Sequence, residues 1–159
     1  MRRKGRIWTT ICVAVIIAAA AIVWRHPPRA AIDALDDADR YELLSLDPDR
    51  SDSPSSDDFH GHHVLARLVV VDIAVQRQLN AALRAGIDSK QTMAACFNPR
   101  HGIRVTRAAQ TTDFVICFEC SQVKVWRGDR QVAYLATSSS PQATFDGVLL
   151  KANVPLAKR

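Results

Sequence analysis

Residues 113–126 read DFVICFECSQVKVW. β-branched and aromatic residues dominate this stretch, which predicts a long strand, Asp113 to Trp126, at the centre of a sheet. Its apolar alternation does not keep one parity. Phe114, Ile116, Phe118 and Cys120 fall on one face of an extended chain, and Val123 and Val125 on the other. A β-bulge between Phe118 and Val123 would switch the inward face. Burial of both faces at the start of the strand would give the same pattern without a bulge.

The neighbouring segments supply the rest of a fold. Val64 to Val71 (VLARLVVV) predicts an inner strand, with Asp72 as the cap of a helix from Ile73 to Ala85 that Gly86 closes. Val75, Leu79, Ala82 and Leu83 repeat at helical spacing along one face. Residues 92–97 (TMAACF) and 103–108 (IRVTRA) predict strands around an Asn-Pro-Arg-His-Gly turn. Gly128-Asp129 predicts a turn before a strand from Gln131 to Thr137. Ser138 to Pro141 then starts a second helix with Phe145, Val148 and Leu149 inward; Asn153 and Pro155 end it. The fold class expected is α+β: a single antiparallel-rich sheet of about four or five strands with two packed helices.

Before this domain the chain changes character twice. Of its 159 residues, 1–29 carry +6, 30–58 carry −8 and 59–159 carry +7, so the net +5 describes no single surface. An uncharged run, Ile7 to Trp24, follows Arg2, Arg3, Lys4 and Arg6 and precedes Arg25 and Arg29. Eighteen helical residues span roughly 27 Å, close to a bilayer's hydrocarbon core. Trp8 and Trp24 mark its ends, and the basic residues before it favour a cytoplasmic N-terminus. The expected organisation is a cytoplasmic basic tail (1–6), a transmembrane signal anchor (7–24), an acidic stem and linker (25–58) and an extracytoplasmic domain (59–159). Within the stem, 30–46 reads as a short helix and Asp47 to Asp58 as a solvated linker. Cleavage of a signal peptide after the Ala18–Ala21 stretch is the alternative, against which Ile22-Val23-Trp24 continues the apolar run. A buried soluble helix is the third reading.

Cys96, Cys117 and Cys120 fall in the exported part, and His101 lies five residues beyond Cys96. Together they have the composition of a Cys3His zinc site. On a regular strand Cys117 and Cys120 point to opposite faces, about 10 Å apart, too far for a disulfide or a shared ion unless a bulge intervenes. A disulfide from Cys96 to Cys117 or Cys120, buried thiols and a metal site are therefore the competing readings. A thiol redox protein is a further one, disfavoured because the Cys-x-x-Cys is flanked by strand-like rather than helical sequence. His60, His62 and His63 cluster at the domain entrance. Arg100, His101, Arg104 and Arg107 form a basic turn and strand. Glu119 is the one candidate buried carboxylate, without an evident acid–base partner. No G-x-S-x-G, H-E-x-x-H or Gly-rich phosphate loop occurs, so a non-catalytic role is expected, with no cofactor unless zinc. The 6% aromatic content offers little for base stacking, and no nucleic-acid partner is expected.

The motifs Cys96-Phe97-x-Pro99-x-His101 and Cys117-Phe118-x-Cys120, with ELLSLDP (42–48), FHGHHVLARLVV (59–70) and SPQATFDGVLLKANVPLA (140–157), resemble those of a group of functionally uncharacterised small bacterial proteins, membrane-anchored or exported. The resemblance spans about residues 42–157. It implies a bacterial cell membrane location, single-pass with the C-terminal domain outside, or secretion if the leader is cleaved. It brings no activity or ligand. The reading that results is a membrane-anchored extracytoplasmic binding or interaction module, with the metal-binding domain as alternative.

Overall fold

A computed structural model describes residues 31–36, 38–50, 55–89 and 91–158. After a 3-10 turn at Asp33–Leu35, the elements are β1 (Arg40–Arg50), β2 (His62–Val69), α1 (Ile73–Asp88), β3 (His101–Arg107), β4 (Gln110–Cys117), β5 (Gln122–Arg127), β6 (Arg130–Ala136) and α2 (Gln142–Lys151). The strands form one antiparallel sheet in the order β2-β1-β3-β4-β5-β6. Among the described residues the α+β architecture with two helices is as expected, but the sheet has six strands rather than four or five. The Ile7–Trp24 segment lies outside the described residues. Among those described, no helix is long and apolar enough to cross a membrane.

Register explains which side chains are buried. Directly opposed residues of antiparallel strands share a face. Leu43, Ile103, Phe114, Val125 and Ala133 therefore stand in one row across five strands. The parallel row Ser45, His101, Ile116, Val123 and Leu135 lies on the same face. Both helices cover this face. Leu79 and Leu83 of α1 and Phe145 and Leu149 of α2 are fully buried against it. Burying each leucine contributes about 1.5–3 kcal/mol. Asp72 caps α1 as expected, accepting from the Ala74 N–H at 2.8 Å. Asn80 is a buried polar residue on the same helix, yet fully engaged: it accepts from the Tyr41 hydroxyl and donates to the Leu35 carbonyl. Burial pushes the Tyr41 phenol far above its ordinary pKa, so it remains a donor.

Four expectations are corrected. Residues 40–50, read as the end of a short helix and the start of a linker, form β1, placed between β2 and β3. Its ELLSL core is apolar at both parities because both faces of this strand are covered: Leu43 by the helices, Leu44 and Leu46 by a second cluster with Phe59 and Val115. Such a run has no period to tell helix from strand. Of residues 64–71, expected as an inner strand, 64–69 belong to the edge strand β2 and Val70 and Val71 lie beyond its end. Residues 92–97, expected as a strand, lie in the irregular segment before β3. Finally, 113–126 is not one strand. Phe118 to Ser121 turn the chain, and Cys117 pairs with Gln122. Ser121 takes the left-handed conformation, φ 57°, that closes this four-residue connection. The parity change is the register of a hairpin, in which Ile116 faces Val123, and not a bulge.

Gly86 marks where α1 meets the start of α2. A Cβ built there would lie 2.6 Å from both the Pro141 ring and the Thr137 hydroxyl. Gly86→Ala would gain about 1 kcal/mol of helix propensity, but overpacking costs about 1–3 kcal/mol. The proline ring is held by its own backbone, so packing wins. Chemical denaturation should show Gly86→Ala less stable than the parent; a more stable variant would mean the contact gives way freely.

Candidate functional site

Among the described residues, the second face of the sheet carries no helix. Register again decides what stands there: Glu42, Arg104, Asp113 and Trp126 form one row, and Leu44, Gly102, Val115 and Lys124 the next. Segments 55–61 and 91–100 lie along this face, placing Phe59, His60 and Phe97 on it. A Cβ on Gly102 would come within 2.8 Å of the Phe59 ring, so the ring sits directly on the backbone of β3.

An ionic network is built into the first row. Arg104 donates to both carboxylate oxygens of Asp113, at 2.8 and 2.7 Å. Nε2 of His60 meets the same carboxylate at 2.8 Å. The His60 ring stacks on Trp126 (centroids 4.6 Å apart, planes at 17°) and on the edge of Phe59, while the Arg104 guanidinium lies over the Phe59 ring. His60 occupies a tight turn with Gly61, joined by reciprocal Phe59–His62 backbone hydrogen bonds. Both turn residues have positive φ, 54° and 84°. Glycine accepts that conformation without strain; histidine does so at a cost of about 1–3 kcal/mol. The imidazole is held in place by the network, not by backbone preference.

Beside it is a cavity of about 460 Å³, lined by Pro48, Asp49, His60, His62, Phe97, Asn98, Val115, Lys124 and Trp126. The Lys124 ammonium sits 3.6 Å from the Phe97 ring centroid. The Trp126 indole N–H is buried and has no acceptor among the described residues.

The cysteines gather at the nearby β4–β5 turn as free thiols; the expected disulfide from Cys96 to Cys117 or Cys120 is not present. They are linked by hydrogen bonds instead. The Cys120 N–H donates to Cys117 Sγ at 3.1 Å and the Asn98 N–H to Cys120 Sγ at 3.4 Å. Cys96 is exposed, and its hydrogen bond with the Cys120 thiol raises its pKa; burial raises that of Cys120. His101 is not with them. It pairs with Ile116, which puts it on the helix side while Cys117 faces the other way. There His101 Nε2 meets Asp146 Oδ1 at 2.9 Å, between the Phe118 and Phe145 rings. Among the described residues no three His, Cys, Asp or Glu side chains converge on a point suited to a metal. Of the remaining candidates, Glu119 is exposed and pairs with Arg100, and His63 is exposed beside Asp58. Arg104, read as part of a basic edge, is instead the partner of Asp113. Asp113 and Trp126 were absent from the sequence-level site, since nothing local marks a strand residue as facing a distant turn.

No family model matches the chain, and no curated protein matches it. Among solved structures it is loosely similar to a "Putative Lipoprotein from Clostridium perfringens", with a TM-score of 0.39 and 12% identity over 80% of this chain and 91% of that one.

Burial alone would raise the Asp113 carboxyl pKa. The hydrogen bonds and charges of Arg104 and His60 outweigh it and hold the group below its ordinary value. A depressed folded-state pKa adds stability above the unfolded value, near 4, that is lost as pH falls through the lower folded one. Asp113→Asn should cost on the order of 2 kcal/mol at pH 7 and should flatten the acid limb of stability against pH. An unchanged limb would remove Asp113 from the network. A second check concerns the thiols: in a Cys12→Ala background only Cys96 should react with a thiol reagent in the native state, more slowly at pH 7.5 than a free cysteine peptide, and all three should react after unfolding.

Proposed function

We propose that this chain is a membrane-tethered extracytoplasmic domain whose sheet face opposite α1 and α2 is its binding surface. The observation that carries the reading is the Arg104–Asp113–His60 network: a strained imidazole held by Asp113 and Trp126 beside an open cavity, on a face that no helix covers among the described residues. The larger apolar core lies on the other side of the sheet, and the small cluster of Leu44, Leu46, Phe59 and Val115 on this side is apolar without the network's charges. Preorganised polar groups beside a concave surface are what ligand sites need.

The tethering part rests on sequence. Six residues, 25–30, separate Trp24 from the first described residue, Ala31, and extended they reach about 20 Å. With β1 in the sheet, no long stem remains, and the domain sits close to the bilayer. Its entry point fits that placement. The end of the sheet where β1 begins carries the exposed apolar residues Val71 and Ile73, with Arg77 and Arg107 also exposed. The cavity residues Pro48, Asp49, His62 and Phe97 belong to the opposite end, facing away from the membrane.

The test uses the full chain with a C-terminal tag. It should stay in the membrane pellet after carbonate extraction, and protease added to intact spheroplasts should remove the tag. A tag protected until the membrane is lysed would overturn the topology, and recovery in the soluble fraction the tether.

A further inference from the structure

We propose that the cavity beside His60 binds a small anion borne on a flat apolar group, such as a carboxylate or phosphate monoester of an aromatic ring. This rests on the reading of that face as the binding surface and adds the chemistry of what is bound.

The lining divides into two kinds of surface. Phe97, Val115, Trp126 and Pro48 are apolar, and two of them are aromatic plates. The polar remainder is mostly donor or cationic: Lys124, His60, His62 and the Asn98 amide, against the carboxylate of Asp49 among the described residues. Lys124 is not a mobile surface lysine, because its ammonium is held over the Phe97 ring. Positive charge is thus held against an aromatic wall, which suits a ligand that joins a negative group to a ring. His60 is fixed as well: with Nε2 turned to Asp113, the ring cannot swing away from the cavity without breaking that bond and its stack on Trp126. Asp113 is spent on Arg104 and His60, so its charge is neutralised within the network rather than set against an incoming anion. The Trp126 N–H is buried and has no acceptor among the described residues. A volume of about 460 Å³ is in the usual range for small-molecule sites and well beyond what a bare inorganic ion needs.

The test is titration calorimetry with competition NMR on the full chain in detergent micelles, using benzoate, phenyl phosphate, inorganic phosphate and benzylamine. Benzoate and phenyl phosphate should bind one site and displace each other. Inorganic phosphate should bind at least tenfold more weakly, and benzylamine not at all. Lys124→Gln should weaken both aromatic anions about tenfold or more, and Trp126→Leu should erase the preference of phenyl phosphate over inorganic phosphate. A melting curve for each variant shows that it is folded. His60→Asn, whose side chain tolerates positive φ, gives a second variant that keeps the turn and should also lose affinity. Benzylamine binding as well as benzoate, or a folded Lys124→Gln binding like the parent, would overturn the anion assignment and leave the binding face standing. No binding of any probe at 10 mM, about the weakest binding worth calling a site, would overturn both, without touching the topology decided by the protease experiment.

Discussion

Ile103, Phe114 and Val125 stand side by side on three neighbouring strands, and this register is the constraint on which the rest of the structure depends. A strand's side chains alternate with a period of two, so one fixed pair fixes every other pair along the hairpin. With these three inward against α1 and α2, the residues next to them, Arg104, Asp113 and Trp126, have to face the other way. A slip of one residue would bury Asp113 under the helices and expose Phe114. The hydrophobic core and the polar network are therefore two faces of a single decision.

The open face shows how strain and charge are balanced locally. His60 lies in a conformation its backbone does not prefer, and Asp113 carries a charge that burial opposes. Each is stabilised by the other and by Arg104 and Trp126. The arrangement is rigid because each group has more than one partner: Arg104 grips both carboxylate oxygens and lies over Phe59, and His60 is hydrogen-bonded, stacked on Trp126 and edge-to-face with Phe59. The adjoining thiols contribute differently. They tie the 91–100 segment, which supplies Phe97 and Asn98 to the cavity, to the β4–β5 turn through Cys120.

Much of the fold was legible because its signals are local. The Asp72 cap, the Leu79 and Leu83 stripe and the Gly128 turn each depend on residues within a few positions of one another. The β4–β5 connection was not, because it contains neither Gly, Asn nor Pro; Ser121 adopts positive φ under the pull of strand pairing. Its one trace in the sequence was the switch of parity between Phe118 and Val123. Strand β1 was obscured for another reason: covered on both faces, it shows no alternation, and its acidic end resembles a linker.

By itself the sequence determined the class of fold, because propensity, capping and hydrophobic period act over a turn or two of chain. It also contains the apolar, positively flanked Ile7–Trp24 run. Only the tertiary structure decided which chemical groups meet. Cys96 and His101 are five residues apart yet have different partners, Cys120 and Asp146, whereas His60 and Asp113, 53 residues apart, share a hydrogen bond. Neighbourhood across a sheet is set by which strands pair and in what register, and that depends on the packing of the whole core.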